Sequence, residues 1–256
     1  MEAEEVDNGS IHPRKKMRRK ELLAKKKAVE EIIKAASSEK DPLSSVHPHA
    51  HYHTKGLSVY MESGRGNKLT SHLKQYIQKL LKVNMEVPFG SQWPVEEKVK
   101  RKDMVSPEAR YIFVYEDRYS DGKAELPISL TEKGESSSSN GGIVGFVHYR
   151  FVVEEEVPVL YVYELQLEAV VQGKGLGKFL MQLIEDIACK NRMGAVVLTV
   201  QKTNASAMKF YMNKLGYIIS ATSPSKFSYR TGLETNYEIL CKAFNDEAKS
   251  VFEDKS

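Results

Sequence analysis

The sequence has few of the features that stabilise extracellular or membrane proteins. Its 256 residues include two cysteines, Cys189 and Cys241, which excludes a disulfide framework and indicates a reducing compartment. No stretch approaches the roughly 18 consecutive apolar residues of a membrane-spanning helix, so we expect no membrane partner. The first ten residues, MEAEEVDNGS, are acidic and polar, unlike a secretory or mitochondrial leader. A hydrophobic share of 41% instead favours a globular protein.

Positive charge is concentrated in one segment near the N-terminus. The net charge is +4; nine Lys/Arg and one Glu within residues 14–27 contribute +8, which leaves −4 on the remainder. The run 13–20 is typical of a nuclear-import signal or a nucleic-acid patch, or is the solvated end of a helix. We expect the protein in the nucleus and cytoplasm, with this basic arm associating with chromatin or the ribosome.

Composition and periodicity divide the chain into four parts. We predict a disordered tail at 1–17, a helix and loop packing on the core at 18–56, one main domain at 57–245 and a disordered tail at 246–256. Within the main domain, residues 117–142 contain the run Glu-Ser-Ser-Ser-Ser-Asn-Gly-Gly and have too little apolar content to fold, which predicts a flexible insertion. We expect a monomer.

The order of predicted elements indicates an α+β fold. Strands alternate with helices only in the second half, which favours a mostly antiparallel central sheet flanked by helices, with the N-terminal helix added to it. The predicted strands are 57–61, 110–116, 143–151, 157–167, 195–201, 217–220 and 235–242, and the predicted helices are 69–83, a short one from Trp93, 178–190 and 205–214.

A glycine-rich turn at residues 172–177 (QGKGLG) follows a predicted strand and precedes a predicted helix. Glycines let a backbone approach a ligand, and the first N–H groups of a helix bind phosphate, so this turn predicts an anion site. A P-loop would need Ser or Thr after Gly177-Lys178, where Phe179 stands. A dinucleotide turn would need an acidic residue ending the next strand, which ends in Gln201. Both classes are excluded.

The chain has no predicted metal site. His47, His49, His51 and His53 alternate in a loop, but no Cys, Asp or Glu completes a set of ligands.

Two signatures resemble those of the GCN5-related N-acetyltransferase (GNAT) superfamily. The first is Gln172-x-x-Gly175-x-Gly177; the second, one strand later, runs from Asn204 to Tyr211 and is followed by Leu-Gly-Tyr at 215–217. The resemblance implies the GNAT fold, whose fourth and fifth strands splay, and acetyl-CoA as co-substrate without a metal. The cofactor-binding residues it implies are Gln166, Leu167, Glu168, Gln172, Gly173, Lys174, Gly175, Leu176, Gly177, Lys178, Phe179 and Asn204.

Two residues are candidates for catalysis. Glu164 lies within an otherwise apolar strand, where an unpaired carboxylate would cost about 2–7 kcal/mol, and we predict it to be the general base. The alternative is a carboxylate satisfied by a neighbouring lysine or backbone amide. Tyr211 is the superfamily's usual candidate for protonating the departing thiolate, but its phenol could instead cap the core.

The segment 161–180 (YVYELQLEAVVQGKGLGKFL), together with LTVQKTN at 198–204 and NYEIL at 236–240, resembles the NatD family of N-terminal acetyltransferases, and the resemblance covers nearly the whole chain. It implies that the substrates are the N-terminal serines of histone H4 and histone 2A. The substrate-binding residues it implies are Phe89, Trp93, Glu154, Tyr161, Tyr163, Thr199, Thr222 and Tyr237. Two positions depart from the family: Val152 replaces an acidic residue, which Glu154 could compensate, and Phe89 replaces a tyrosine.

Three hypotheses follow. The first is an N-terminal acetyltransferase acting on histone H4 and histone 2A, with direct attack in a ternary complex and Glu164 as base. The second keeps the fold but acetylates a lysine side chain or a small polyamine. The third is a chromatin-binding module with an inactive GNAT core, against which the intact Gln172, Gly175, Gly177 and Asn204 argue.

Overall fold

The computed structural model describes residues 13–117, 142–227 and 235–254. Its strands are β1 (His51–Thr54), β2 (Leu57–Arg65), β3 (Arg110–Glu116), β4 (Ile143–Glu154), β5 (Val157–Leu167), β6 (Ala195–Gln201), β7 (Ile218–Ile219) and β8 (Tyr237–Ala243). Its α-helices are α1 (Pro13–Ser38), α2 (Pro42–Val46), α3 (Ser71–Phe89), α4 (Trp93–Asp103), α5 (Leu176–Lys190), α6 (Ala205–Lys209) and α7 (Asp246–Phe252).

The strands form one sheet in the order β1-β2-β3-β4-β5-β6-β8-β7. Every neighbouring pair is antiparallel except β5 and β6, which are parallel. The predicted α+β fold with a mostly antiparallel sheet and an added N-terminal helix is therefore confirmed. The sheet gains one strand, β1, from a segment that we predicted to be loop.

Helices cover both faces of the sheet, because the strand residues alternate between two apolar layers. Ile112 and Val114 of β3 pack in the layer that contains α5, whereas Tyr111 and Phe113 pack in the layer that contains α3 and α4. Near the C-terminus, α7 packs on β5, β6 and β8. In the part of the chain that the structure describes, no helix is long and apolar enough to cross a membrane.

The pairing of β5 with β6 ends early, and a bulge lies beside that end. The last paired residues are Val162 and Leu198, after which the two strands separate. On the other side of β5, His148 pairs with Glu164 and Tyr149 with Val162, so Tyr163 is an extra residue. A bulge reverses the alternation of side chains along a strand. Val162 and Leu165 consequently pack in the α5 layer, while Glu164 is directed towards α4.

The N-terminal helix α1 is held to the core at its C-terminal end. The guanidinium of Arg110 donates to the carbonyls of Ser37 and Glu39, and that of Arg65 donates to Glu39 at 2.7 Å. Cations at a helix C-terminus satisfy its last carbonyls and complement the helix dipole. The helix begins at Pro13, so the predicted boundary at Arg18 is wrong; residues 1–12 of the predicted tail lie outside the described residues.

The end of the chain forms a helix, and most of the predicted insertion lies outside the described residues. The disordered tail predicted at 246–256 is wrong for α7, whose Phe252 and Ala248 are buried against the sheet because they complete its apolar face. The predicted insertion at 117–142 falls mostly on residues 118–141, which lie outside the described residues.

Candidate active site

The glycine turn after β5 has the backbone geometry of an anion cradle. Gly173 and Gly175 have φ angles of +73° and +87°, in the left-handed region that favours glycine. Gly175 is the N-cap of α5, and no side chain in the described part of the chain caps that end. The first N–H groups of a 15-residue helix are therefore available to a ligand, with the positive end of its dipole behind them.

Close neighbours also favour glycine at two positions of this turn. A Cβ at Gly175 would lie 2.5 Å from the Tyr52 hydroxyl, and one at Gly177 would lie 3.2 Å from the Phe210 ring. Tyr52 belongs to β1 and donates to the carbonyl of Lys174 at 2.7 Å. The histidine-containing loop thus contributes a support for the glycine turn; among the described residues, no group of three or more His, Cys, Asp or Glu could hold a metal ion.

The predicted cofactor residues around the turn divide between backbone and side-chain roles. Gln172 donates through Nε2 to the carbonyl of Leu167 at 2.9 Å, which ties the turn to the end of β5. The Leu176 side chain is buried, so only its backbone faces the cradle. Lys174 donates to the carbonyl of Gly56, and Phe179 stacks near Tyr52 with ring centroids 5.1 Å apart. Lys178 is exposed, and the backbone N–H of Glu168 donates to Val144.

Asn204 and Tyr211 lie in the connection after β6. Asn204 caps α6 by accepting from the backbone N–H of Ala207 at 3.1 Å. The helix then widens into a π-helical turn at Phe210–Lys214, a feature that is often found at functional sites. This turn carries the buried Tyr211 to the point where β5 and β6 separate.

A cavity of about 480 Å³ opens between the separated strands. It is lined by Met85, Phe89, Glu96, Lys100, Glu154, Tyr161, Val162, Tyr163, Glu164, Leu165, Gln166, Leu198, Thr199, Val200, Gln201, Asn204, Ala207, Tyr211 and Tyr237. Both predicted catalytic residues and six of the eight predicted substrate residues are in this set.

The other two substrate residues, Trp93 and Thr222, stand apart from the lining of this cavity. Trp93 is 3% exposed and packs within the α3/α4 layer, with its ring 6.0 Å from that of Phe89. It therefore supports Phe89 and does not itself line the cavity. The Thr222 hydroxyl is 2.8 Å from that of Ser220, in the turn before residues 228–234, which lie outside the described residues.

The carboxylate of Glu164 is held on both oxygens. Lys100 on α4 donates to Oε1 at 2.5 Å, and Gln166 donates to Oε2 at 2.9 Å. Gln166 in turn accepts from Asn84 on α3 at 2.9 Å. The side chain of Glu164 is 8% exposed and that of Lys100 is 18% exposed. The predicted alternative, a carboxylate paired with lysine, therefore describes the structure, and it leaves Glu164 at the cavity surface.

The charge on Lys100 is stabilised despite its burial. Burial alone would lower the pKa of Lys100, but the Glu164 carboxylate more than offsets this effect, and the pKa is raised overall. The ammonium group also lies 5.1 Å from the centroid of the Phe89 ring, in cation–π contact. Lys100 is thus a permanent cation beside the candidate base.

A second cavity of about 140 Å³ lies behind Glu164. It shares Glu96, Lys100, Tyr163 and Glu164 with the larger one, and His148 of β4 also lines it. The ring of His148 stacks between those of Tyr111 and Tyr163 at 4.9 Å from each. Burial, with smaller contributions from Arg150 and Lys100, lowers the pKa of His148 to about 3, so this imidazole is neutral at physiological pH.

The pKa of Tyr211 bears on its predicted role as an acid. Burial raises it well above the ordinary value near 10, and the charge of Glu164 raises it further. A thiol has a pKa of about 8.5, so proton transfer from this phenol to a thiolate would be uphill. Tyr211 is better suited to donate a hydrogen bond to the sulfur than to give up its proton.

The wall opposite the cofactor turn is aromatic with one acidic end. The Tyr161 and Thr199 hydroxyls lie 2.5 Å apart and connect the two separated strands. The Tyr161 and Tyr163 rings are 5.1 Å apart. Glu154 lies at the edge of this wall, where burial, and then the charge of Glu155, raises its pKa. Such a surface would hold a small chain terminus with a cation near it.

The family is established by a match over half of the chain. Residues 88–217 match the model of the acetyltransferase (GNAT) family. The chain belongs to the GNAT family. It is therefore an acetyl-CoA-dependent acetyltransferase, which argues against an inactive chromatin-binding core. The matched residues run from the end of α3 to the Leu-Gly-Tyr turn and contain the glycine turn, Glu164 and Asn204.

Solved structures to which this chain is similar include acetyltransferases bound to coenzyme A or to a bisubstrate analogue. The PaiA N-acetyltransferase of Thermoplasma acidophilum in complex with coenzyme A has 14% identity and a TM-score of 0.47, over 72% of this chain and 99% of that one. Naa50 of Arabidopsis thaliana, bound to the bisubstrate analogue CoA-Ac-MVNAL, has 17% identity and a TM-score of 0.42 over 72% and 99%. NAA60 of Arabidopsis thaliana, in complex with a bisubstrate analogue, has 12% identity and a TM-score of 0.46, over 72% of this chain and 99% of that one. These values do not bear on the substrate of this chain.

The site fits acetyl-CoA. The uncapped start of α5 and the left-handed glycines accommodate a pyrophosphate, and the gap between β5 and β6 leads from there to Glu164. Three residues of the site carry no sequence signature: Asn84, Lys100 and His148. Lys100 lies two helical turns after Trp93, a spacing that places both on one face of α4, but nothing in the sequence indicates which strand that face meets.

Proposed function

We propose that this enzyme transfers acetyl from acetyl-CoA to the α-amine of the N-terminal serine of histone H4 and histone 2A. The observation that carries the proposal is the cavity between β5 and β6, in which a buried carboxylate faces an aromatic wall. The resemblance of nearly the whole chain to the NatD family supports the choice of substrates.

The shape and charge of the cavity suit the peptide Ser-Gly-Arg-Gly. Tyr161, Tyr163, Phe89 and Tyr237 would close over small residues, and the Glu154 carboxylate would pair with the arginine bidentately. Val152, which replaces the family's acidic residue, packs partly buried in the layer with α7. In this proposal Glu154 takes over its role.

In the mechanism that we propose, the protein supplies position and proton transfer. Glu164 would accept a proton from the incoming ammonium, directly or through water. Acetyl-CoA would supply an activated acetyl group: attack by the neutral amine, once the two are aligned, forms the C–N bond, breaks the C–S bond and releases coenzyme A as its thiolate, which takes up the proton that the attacking nitrogen loses. The backbone N–H groups at the start of α5 would hold the pyrophosphate, and Tyr211 would donate a hydrogen bond to the sulfur.

The pKa of the acceptor favours an α-amine over a lysine side chain. An α-amino group has a pKa of about 8, whereas that of a lysine is about 10.4, so a carboxylate beside a fixed cation can deprotonate the first more readily. The acidic lining residues Glu96 and Glu154 would also accommodate a lysine or a polyamine, and these acceptors remain the second candidate.

Transfer from labelled acetyl-CoA to a Ser-Gly-Arg-Gly peptide, against the same peptide blocked at its N-terminus, tests the proposal. We expect label on the free peptide alone. A longer histone H4 peptide, blocked in the same way, adds lysines as competing acceptors. Equal labelling of the blocked and free forms would refute the α-amine and favour the lysine alternative.

The cellular setting belongs to the same proposal. The basic arm includes Lys20, Lys26 and Lys27, which are exposed on α1, and we propose that it supports nuclear import and association with chromatin or the ribosome. Lys25 forms an exposed ion pair with Glu247 of α7 at 2.6 Å. Replacing 14–20 with neutral residues should reduce nuclear fluorescence of a tagged protein; an unchanged distribution would contradict this assignment.

A further inference from the structure

Lys100 is an unusual neighbour for a general base. Its ammonium group is 2.5 Å from Glu164 Oε1, and it lines both the larger cavity and the smaller one behind it. The helix that carries it, α4, packs against α3, and the Lys100 side chain extends from it to reach Glu164 on β5.

The acceptor amine must come close to this cation. Direct transfer of a proton to Glu164 needs the donor nitrogen within hydrogen-bonding reach of its carboxylate, about 2.7–2.9 Å for a charged pair. Because Lys100 occupies one oxygen of the same carboxylate, the two nitrogens would lie within about 6 Å of each other. Two positive charges at that distance repel each other, and only the substrate amine can relieve the repulsion by losing its proton.

The other charged groups around the carboxylate do not cancel this effect. Arg150 pairs with Asp103 at 3.3 Å, and its guanidinium lies over the Tyr163 ring. Two other carboxylates line the larger cavity, Glu96 one turn before Lys100 on α4 and Glu154 at the edge of the aromatic wall, and His148 behind the site is neutral. Without Lys100, Glu96 and Glu164 would face the incoming amine as two carboxylates and would hold it as an ammonium ion.

We propose that Lys100 is a fixed positive charge that keeps the acceptor amine neutral, and therefore nucleophilic, when it reaches Glu164. The proton moves from the acceptor's ammonium group to the Glu164 carboxylate, which leaves a neutral amine and a carboxylic acid. Lys100 gains and loses no proton; it acts through the charge that Glu164 and the amine experience. This inference rests on the proposed role of Glu164 as the base.

The pH dependence of kcat in Lys100→Met, measured with both substrates saturating, tests the inference, because kcat reports ionisations within the enzyme–substrate complex. A charge within about 4–6 Å shifts a pKa by about one unit or more, so the acidic limb of the profile should move upward by about one pH unit. At pH 7 we expect kcat to fall about tenfold, with recovery towards the wild-type value at pH 9.5. The KM for the acceptor should stay the same or fall, because the ammonium form binds better without Lys100.

Two further variants separate charge from structure. Lys100→Arg retains the cation, so the acidic limb of its pH profile should stay where it is in the wild type. Lys98→Met removes an exposed charge from the same helix and should leave the profile unchanged. A limb that stays in place in Lys100→Met, or a rate lowered equally at every pH, would overturn the inference, and so would Lys100→Arg behaving as Lys100→Met does.

A second measurement needs only the wild-type protein. In a complex with coenzyme A and a peptide carrying ¹⁵N at its terminal amine, the titration of that amine can be followed by NMR. We expect its midpoint below that of the free peptide, and a midpoint at or above it would overturn the inference. If the wild-type enzyme transfers acetyl to another amine, the same experiments apply to that acceptor, so failure of the histone assignment remains distinct from failure of this one.

Discussion

The two halves of the active site are built in different ways. The cofactor half consists mainly of backbone from one continuous segment, the end of β5, the glycine turn and the start of α5. The acceptor half consists of side chains from α3, α4, β4, β5, β6 and β8, among them the buried pair Lys100 and Glu164. Backbone recognition of a phosphate depends on a short local pattern, whereas an amine site of this kind depends on how distant elements pack.

Glu164→Gln should have the largest effect, and this effect should be confined to the acceptor half of the site. Removal of the carboxylate should lower turnover by about 10²–10⁴-fold, the usual contribution of a general base, because the amide cannot accept the proton. The dissociation constant for coenzyme A, measured by calorimetry, should change less than about twofold. Glu155→Gln, in the exposed turn between β4 and β5, is the control and should behave as the wild type. A parallel loss of coenzyme A binding would contradict the separation of the two halves.

Gly175→Ala makes the complementary change in the cofactor half. An alanine is strained at the φ of +87° found here, and its Cβ would meet the Tyr52 hydroxyl, so the turn or Tyr52 must move. We expect about 10–100-fold weaker coenzyme A binding, with the pH profile at saturating acetyl-CoA unchanged. Gly173→Ala shares the left-handed φ but meets no atom within 4 Å, so it should lose less. Equal losses would show that close packing at Gly175 is unimportant.

The buried His148 makes the stability of the acceptor half pH-dependent. Its pKa is about 3 in the folded protein and near 6.5 when unfolded, so the unfolded chain binds the extra proton in that interval. Stability is therefore complete above pH 6.5 and decreases as the pH falls towards 3. Between pH 7.5 and 5 this amounts to as much as about 2 kcal/mol. In urea unfolding, the free energy of unfolding of His148→Phe should decrease less steeply with falling pH than that of the wild type. An identical decrease in the two proteins would contradict this prediction.

The smallest effects should come from two hydroxyl deletions, one in each half. Tyr161→Phe removes the contact with Thr199 and should raise the KM for the peptide about threefold. Tyr52→Phe removes the bond to the carbonyl of Lys174 and should raise the dissociation constant for coenzyme A by a similar factor. Steady-state kinetics and calorimetry on both variants measure these two constants. Weaker coenzyme A binding in Tyr161→Phe, or a higher peptide KM in Tyr52→Phe, would contradict the division into two halves.

The sequence predicts the cofactor half better because its signals are local. The strand at 157–167 agrees with β5 as observed, and glycine spacing with Asn204 is sufficient to indicate the family. The helix from Trp93 and the strands around the insertion follow from periodicity as well. The terminal helix α7 was missed because its apolar residues are few, and they become buried only against strands that are distant in sequence.

The acceptor half is less predictable for a geometric reason. Alternation along β5 would place Glu164 on the same face as Val162, within the α5 layer, and the bulge at Tyr163 places it on the opposite one. A bulge of this kind leaves no clear mark in one sequence. Lys100 is hidden for a related reason, since its partner is set by the crossing of α4 over the sheet and not by its own neighbours.

The site of acetylation on the histone tail tests the central claim most directly. The full-length wild-type enzyme would be incubated with acetyl-CoA and an unblocked histone H4 N-terminal peptide that contains both its terminal serine and its lysines. Tandem mass spectrometry would then locate the acetyl group. We expect acetyl on the α-amine of the serine and unmodified lysines. Acetyl on a lysine, with the terminus unmodified, would contradict it.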